Sequence, residues 1–243
     1  MTYTILATDA DRGQVGIGIT TLSIGVGGLA PFFSADGDIV TTQAYARADL
    51  GPVMVRALNV GAGAEAALAA AREYDGDDDV FRQLAIIRRT GEHVCHTGTS
   101  CRPWAGHIGG DGWVVMGNVL SGRAVLEAMA DAFTTSAAEN LSERLLRALE
   151  AGRDAGGQAM PDGRHLRERS AMVRVLADDL LPATDLRVDL HADTVTKARR
   201  LATVYTAIGP YNDLRGRKAA ETPSFPEWES QYLAGLAVPE PFG

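Results

Sequence analysis

Strand-like runs and helix-like runs come in separate blocks along this chain, and that order constrains the fold more than any single motif. The chain opens with two apolar, β-rich runs, YTILATD (residues 3–9) and QVGIGITT (residues 14–21). Between them stands ADRG, a turn of the Asp/Gly type that predicts a hairpin. A Gly-rich loop follows, and then Ile39, Val40, Thr41 and Thr42 predict a third strand within DIVTTQAYA. From residue 51 to residue 72 the spacing turns helical, with Val53, Val55, Leu58 and Val60 and then the Ala-rich AEAALAAAREY, which predicts two short helices. YDGDDD is expected to be a solvated turn. RQLAIIRR and EHVCHTG predict a second hairpin, and GWVVMGNVL a further strand.

Two more helical patterns follow, RAVLEAMADAF and AENLSERLLRALEAG, the second expected to stop at Gly152. They suit an αα-hairpin packed on a sheet. SAMVRVLA and DLRVDLH then read as strands and residues 194–207 as a helix. Strands, helices, strands, helices is not the strict alternation of a parallel sheet, so the expectation is α+β: largely antiparallel strands covered by helices. Residues 1–209 are expected to form one domain. Residues 210–243, proline-rich and carrying Tyr211, Phe225, Trp228, Tyr232 and Phe242, are expected to be an irregular arm with one helical turn near residues 227–233. Those aromatics need cover, from their own domain or from a second subunit, so a homo-oligomer is expected.

Composition removes several function classes. With 23 Lys+Arg against 31 Asp+Glu and a formal charge of −8, the global field repels nucleic acid and anionic membrane surfaces. There is no charge-free apolar run of about 18 residues, and MTYTILATDADRG lacks the features of a signal peptide, so a soluble cytoplasmic protein is expected. In that compartment Cys95 and Cys101 are free thiols rather than a pair.

The stretch from residue 93 to residue 122 gathers His93, His96, His107, both cysteines, Trp104 and Trp113, and so invites three readings. A metal site is poorly supported: no CxxC or HxxxH spacing occurs, and in a strand His93 and Cys95 share a face that His96 does not. Cys101 has Arg102 beside it and histidines nearby, as a nucleophilic thiol would, yet a buried structural cysteine is the better reading of the sequence. The third reading makes this stretch the wall of a pocket. No metal or other cofactor is expected.

Thr2 offers different chemistry. Initiator methionine is commonly removed before a small residue, and a terminal threonine carries its own base. An α-amino group of ordinary pKa, about 7.7–8.0, can take the hydroxyl proton and later pass it to a leaving amine.

Several segments together resemble one bacterial family, called domain of unknown function 1028. They are TTQAYA (residues 41–46), RQLAII (82–87), TGTSCRPWAGH (97–107), MGNVLSG (116–122) and ERSAMVRV (168–175), and the resemblance runs in order through residues 2–200. It implies the fold of the N-terminal-nucleophile (Ntn) hydrolases, a four-layer αββα sandwich of two mainly antiparallel sheets, whose members cut amide bonds. By that resemblance Thr2 stands at the nucleophile position, and a small molecule or peptide with an amide bond is the expected substrate. Gln43 and Asn118 are then candidates for the oxyanion or substrate, and Cys101 and His107 for substrate contact. One departure stands out. The proteasome-like branch has a lysine on an early strand, whereas the only lysines here are Lys197 and Lys218, which leaves Arg47, also a candidate for substrate binding, or Arg12 to supply the charge, although arginine cannot give up its proton and is not equivalent. The alternative is a sandwich that has kept Met1 and lost catalysis, serving as a binding or assembly protein.

Overall fold

A computed structural model describes residues 1–228 and Ser230. Strand β1 (Thr2–Asp9) sets the layering, because its side chains alternate between two cores. Tyr3, Ile5 and Ala7 enter one, and Leu6 enters the other. β1 lies at the centre of a six-stranded antiparallel sheet, between β2 (Gln14–Thr21) and β8 (Trp113–Asn118). Beyond β2 come β9 (Ser170–Leu176) and β10 (Pro182–Val188), and beyond β8 comes β7 (Gly106–Gly110). The second sheet is a four-stranded antiparallel one, in the order β3 (Pro31–Phe33), β4 (Ile39–Ala44), β5 (Arg82–Ile87) and β6 (His93–Thr97).

Three cores hold four layers together. Helices α3 (Ala124–Thr135), α4 (Leu141–Asp154) and α5 (Thr194–Arg217) cover the larger sheet through Val125, Met129, Leu145, Leu149 and Val195, packed on Tyr3, Ile5 and Val173. Helices α1 (Leu50–Asn59) and α2 (Ala64–Asp75) cover the smaller sheet through Met54, Leu58 and Leu68, packed on Leu84 and Ile86. Between the sheets lie Leu6, Val15, Ile17, Ile39, Ala85, Ile87 and Val114. The fold is α+β, a four-layer αββα sandwich of two antiparallel sheets.

Four local expectations need correction. β3 falls in the segment expected to be loop: Phe32 packs so closely on α1 that a Cβ at Gly51 would come within 2.1 Å of its ring, and an edge strand tolerates Pro31. The acidic segment is not a wholly solvated turn, since Asp75 is buried and binds Arg47 and Arg82. Gly152 does not stop α4. It lets the helix lie against Met129 and Tyr3, and the chain leaves the helical path at Gly156 and Gly157, both at positive φ. Finally, α5 continues through Pro210, where the irregular arm was expected to begin. Tyr211, Phe225 and Trp228 stack on one another with ring centroids 4.9–5.8 Å apart, and this packing outweighs the one donor lost at the proline. The short helix α6 (Phe225–Trp228) belongs to that cluster; the rest of the turn expected at residues 227–233, with Tyr232 and Phe242, lies outside the described residues. Among the described residues no helix is long and apolar enough to cross a membrane.

Candidate functional site

At one end of the layer between the sheets the filling changes from aliphatic to polar. The Thr2 hydroxyl meets that of Thr21 at 3.1 Å, from the adjacent strand. Thr4 donates to Gln43 Oε1 on the opposite sheet at 2.7 Å, and Gln43 Nε2 donates to Gln83 Oε1 at 2.7 Å. Asn118, in register with Thr2 across β1 and β8, donates to the same Gln83 oxygen at 3.0 Å. Gln83 Nε2 in turn reaches the carbonyls of Gly106 (3.0 Å) and Gly117 (2.9 Å) and the Thr97 hydroxyl (3.0 Å). Thr97 pairs with His107 Nδ1 at 3.0 Å. The chain of contacts ties both sheets together, and each amide in it is held in one orientation.

Outside this network a cleft of about 210 Å³ opens, lined by Met1, Ser23, Ala44, Tyr45, Arg102, Asn118 and Val119. Met1 lies over Thr2, which is only 6% exposed. Two wall residues hold left-handed backbone without being glycine: Ala44 at φ 70° and Val119 at φ 56°. Such a conformation costs on the order of 1–3 kcal/mol, most for a β-branched residue, and persists where surrounding bonds fix it. At Val119 they do: its N–H donates to the Arg102 carbonyl at 3.1 Å and its carbonyl accepts from Ala159 at 3.0 Å. Trp104 and Leu120 exchange two further backbone bonds, so the segment carrying Arg102 is zipped onto the cleft wall.

The electrostatics favour a neutral amine and protonated thiols. Burial, then the Arg102 guanidinium, lower the terminal amine from its usual 8.0 to about 6, with Cys101 opposing. Burial pushes the Cys95 thiol up to about 12 and raises Cys101 as well, and the Cys101 thiol donates to the carbonyls of Phe81 (3.5 Å) and Arg82 (3.3 Å). These are poor conditions for a thiolate nucleophile. Burial, with His96 and His93 nearby, lowers His107 and keeps its imidazole neutral. His96 Nε2 turns instead toward the Asp79 carbonyl at 3.0 Å.

The residues singled out in the sequence thus fall into distinct positions. Gln43 and Asn118 share the network, with His107 joined through Thr97; Thr2 stands beside it, paired with Thr21 and in register with Asn118; Cys101 lies beside the terminal amine; Arg47 faces elsewhere. Arg47 pairs with Asp49 at 2.8 Å and with buried Asp75 at 2.9 Å, and stacks over Tyr74, joining α1 to α2. Arg12 pairs with Asp9 at the far end of β1 from Thr2. Sequence reasoning missed Thr21, Tyr45, Gln83 and Arg102. Gln83 left a signal: in the inward series Gln83, Ala85, Ile87 it is the one polar member.

Fold and site together define a class, an αββα sandwich whose central strand begins with threonine beside a polar cleft between its two sheets. Within it, residues 2–198 match the family described as "Family of unknown function (DUF1028)", and the chain belongs to that family. The crystal structure of protein SPO2555 from Silicibacter pomeroyi, of the same family, is similar to this chain at a TM-score of 0.74 and 28% identity, covering 84% of this chain and 89% of that one. Anbu (ancestral beta-subunit) from Yersinia bercovieri aligns at a TM-score of 0.43 and 10% identity, over 85% of this chain and 97% of that one. No curated protein matches the chain.

Proposed function

We propose that this protein is an amide hydrolase of the Ntn type, acting through Thr2 once Met1 has been removed. The observation that carries the proposal is the position of Thr2. It heads the central strand, its hydroxyl faces the inter-sheet layer, and Met1 alone of its chain neighbours separates it from the cleft. Loss of Met1 uncovers an amine and a hydroxyl on one residue. The burial and the Arg102 charge that depress the present terminal amine also act on the one uncovered, which favours its neutral, proton-accepting form.

In the reaction Thr2 Oγ1 attacks the amide carbon while its proton passes to the Thr2 amine. The tetrahedral adduct collapses by breaking the C–N bond, and the amine's proton goes to the leaving nitrogen. An ester on Thr2 remains. Water, deprotonated by the same amine, attacks that ester, and the released oxygen of Thr2 regains its proton. Asn118, whose Nδ2 carries a second hydrogen besides the one given to Gln83, supplies a donor for the oxyanion and is held rigid by Gln83. Gln43 acts behind Asn118, and the His107–Thr97 pair supports the same network. Cys101 packs beside the amine as a thiol.

The absence of lysine before Lys197 favours a second reading, in which the cleft binds a small molecule without turning it over. One experiment separates the two. Intact mass of the native, untagged protein should show loss of Met1, and a β-lactone electrophile should then label Thr2 and fail to label Thr2→Ala. Retention of Met1, or labelling that persists in Thr2→Ala, ends the hydrolase reading and leaves the binding one.

A further inference from the structure

Arg102 has an unfilled capacity. Its Nε donates to the Tyr45 hydroxyl at 2.9 Å and its guanidinium lies over the Tyr45 ring at 5.2 Å, so the plane of the fork is set. Among the described residues neither terminal nitrogen has a hydrogen-bond partner and no carboxylate pairs with Arg102. The contrast with Arg47, Arg82 and Arg199 is sharp, since each of those is held by two or more acidic side chains. What sets Arg102 apart from other arginines without an ion pair is its place in the cleft lining. Its backbone is fixed by the bond from Val119, so it is held at the cleft rather than swinging in solvent. The polar side chains of the lining besides Arg102, those of Ser23, Tyr45 and Asn118, are neutral, and among the described residues no Asp or Glu lines the cleft.

We infer that Arg102 receives a carboxylate of the substrate, so that the cleft selects small acyl amides carrying a free carboxyl group, such as N-acyl amino acids or short peptides with a free C-terminus. Two free terminal N–H groups in one plane match the two oxygens of a carboxylate. A phosphate would call for more donors than one guanidinium and two hydroxyls. With Met1 in place the cleft measures about 210 Å³, and loss of Met1 enlarges it toward the roughly 300–1,000 Å³ of small-molecule sites. Tyr45 serves as a positioning residue, holding the fork by its hydroxyl and ring.

The inference rests on the cleft being the substrate site of an amide hydrolase, and its test is built so that the two can fail separately. N-acetyl derivatives of the common amino acids, each as free acid and as carboxamide, are titrated by calorimetry against the full chain carrying Thr2→Ala, which cannot turn them over. At least one acid should bind about 10–100-fold more tightly than its carboxamide, the range of a charge-assisted pair. Adding Arg102→Gln, at an exposed position where melting is expected to be unchanged, should erase that preference. Equal affinity for acid and carboxamide, binding of neither, or a preference that survives Arg102→Gln overturns the inference. The same pairs are then assayed for hydrolysis with unaltered Thr2. Turnover of none of them, together with a clear acid preference in binding, rejects the hydrolase reading and leaves the carboxylate site standing.

Discussion

The two ends of the inter-sheet layer are built by the same five strands, yet one is a core and the other a site. Each strand contributes a pair of residues to this layer four positions apart, a distance of about 13 Å in a strand. The pairs are Leu6 and Thr2, Ile17 and Thr21, Ile39 and Gln43, Ile87 and Gln83, and Val114 and Asn118. The aliphatic members close one end; at the other, Gln43 and Asn118 bond to Gln83 while Thr2 and Thr21 pair with each other. All ten are buried. Burial and alternation therefore do not separate core from site here. What separates them is that the polar end satisfies its donors across both sheets and leaves a cleft beside it, whereas the aliphatic end has no directed bonds to satisfy.

The largest expected effect breaks function at the polar end while sparing the fold. Thr2→Ala should reduce amide hydrolysis by about 1,000-fold or more, because nucleophile and substrate-facing oxygen are one atom. It removes one hydroxyl pair, with Thr21, and should cost only about 1 kcal/mol in urea unfolding. Next, Gln83→Leu tests whether the polar end is held by its hub. It strands the amide donors of Gln43 and Asn118, at about 1–3 kcal/mol each, and should lower activity by releasing Asn118. Unaltered stability in Gln83→Leu would erase the distinction between the ends. At the aliphatic end Ile17→Val removes one methylene from a fully buried side chain and should cost about 0.5–1.5 kcal/mol, with kcat/KM within about twofold of the parent.

The sandwich was legible because its strands and long helices announce themselves by period. The hairpin from β1 to β2, the αα-hairpin and β9 fall where the spacing puts them, while β10 lies three residues earlier than DLRVDLH. β3 was not legible, since three residues show no period and its reason is the contact of Phe32 with Gly51. The site was legible only in part. Thr2, Gln43 and Asn118 could be named as chemical types, but Gln43 and Asn118 meet through Gln83, and nothing local in RQLAII says which sheet faces it. Arg47 illustrates the limit. Its charge could be read and its partners could not, and Asp49 and Asp75 hold it between two helices while Arg102 acts on the amine. Pairing is a tertiary fact, and Arg102 is informative because it stands without an ion pair in the lining of the cleft.

The smallest effect concerns that arginine and the amine it faces. Since burial is the larger cause and Arg102 the smaller, the two can be separated. The Met1 amine is lowered to about 6 by burial and Arg102, and the same two causes act at the head of β1, so kcat/KM of the Met1-free enzyme should rise with pH through a midpoint below the ordinary 8 and level off above it. Stability carries the same sign. Between about pH 6 and 8 the unfolded chain, with the ordinary amine, binds the extra proton, so the folded state gains stability as pH rises across that window and has lost the gain at pH 6. Arg102→Gln removes the repulsion and keeps the burial. Its midpoint should move toward 8 without reaching it, by less than about one pH unit, equivalent to about 1.4 kcal/mol at most. A midpoint of 8 or more in the unaltered enzyme would mean that the amine at the polar end is as solvated as any chain terminus, and the distinction between the two ends of the layer would then rest on Gln83 alone.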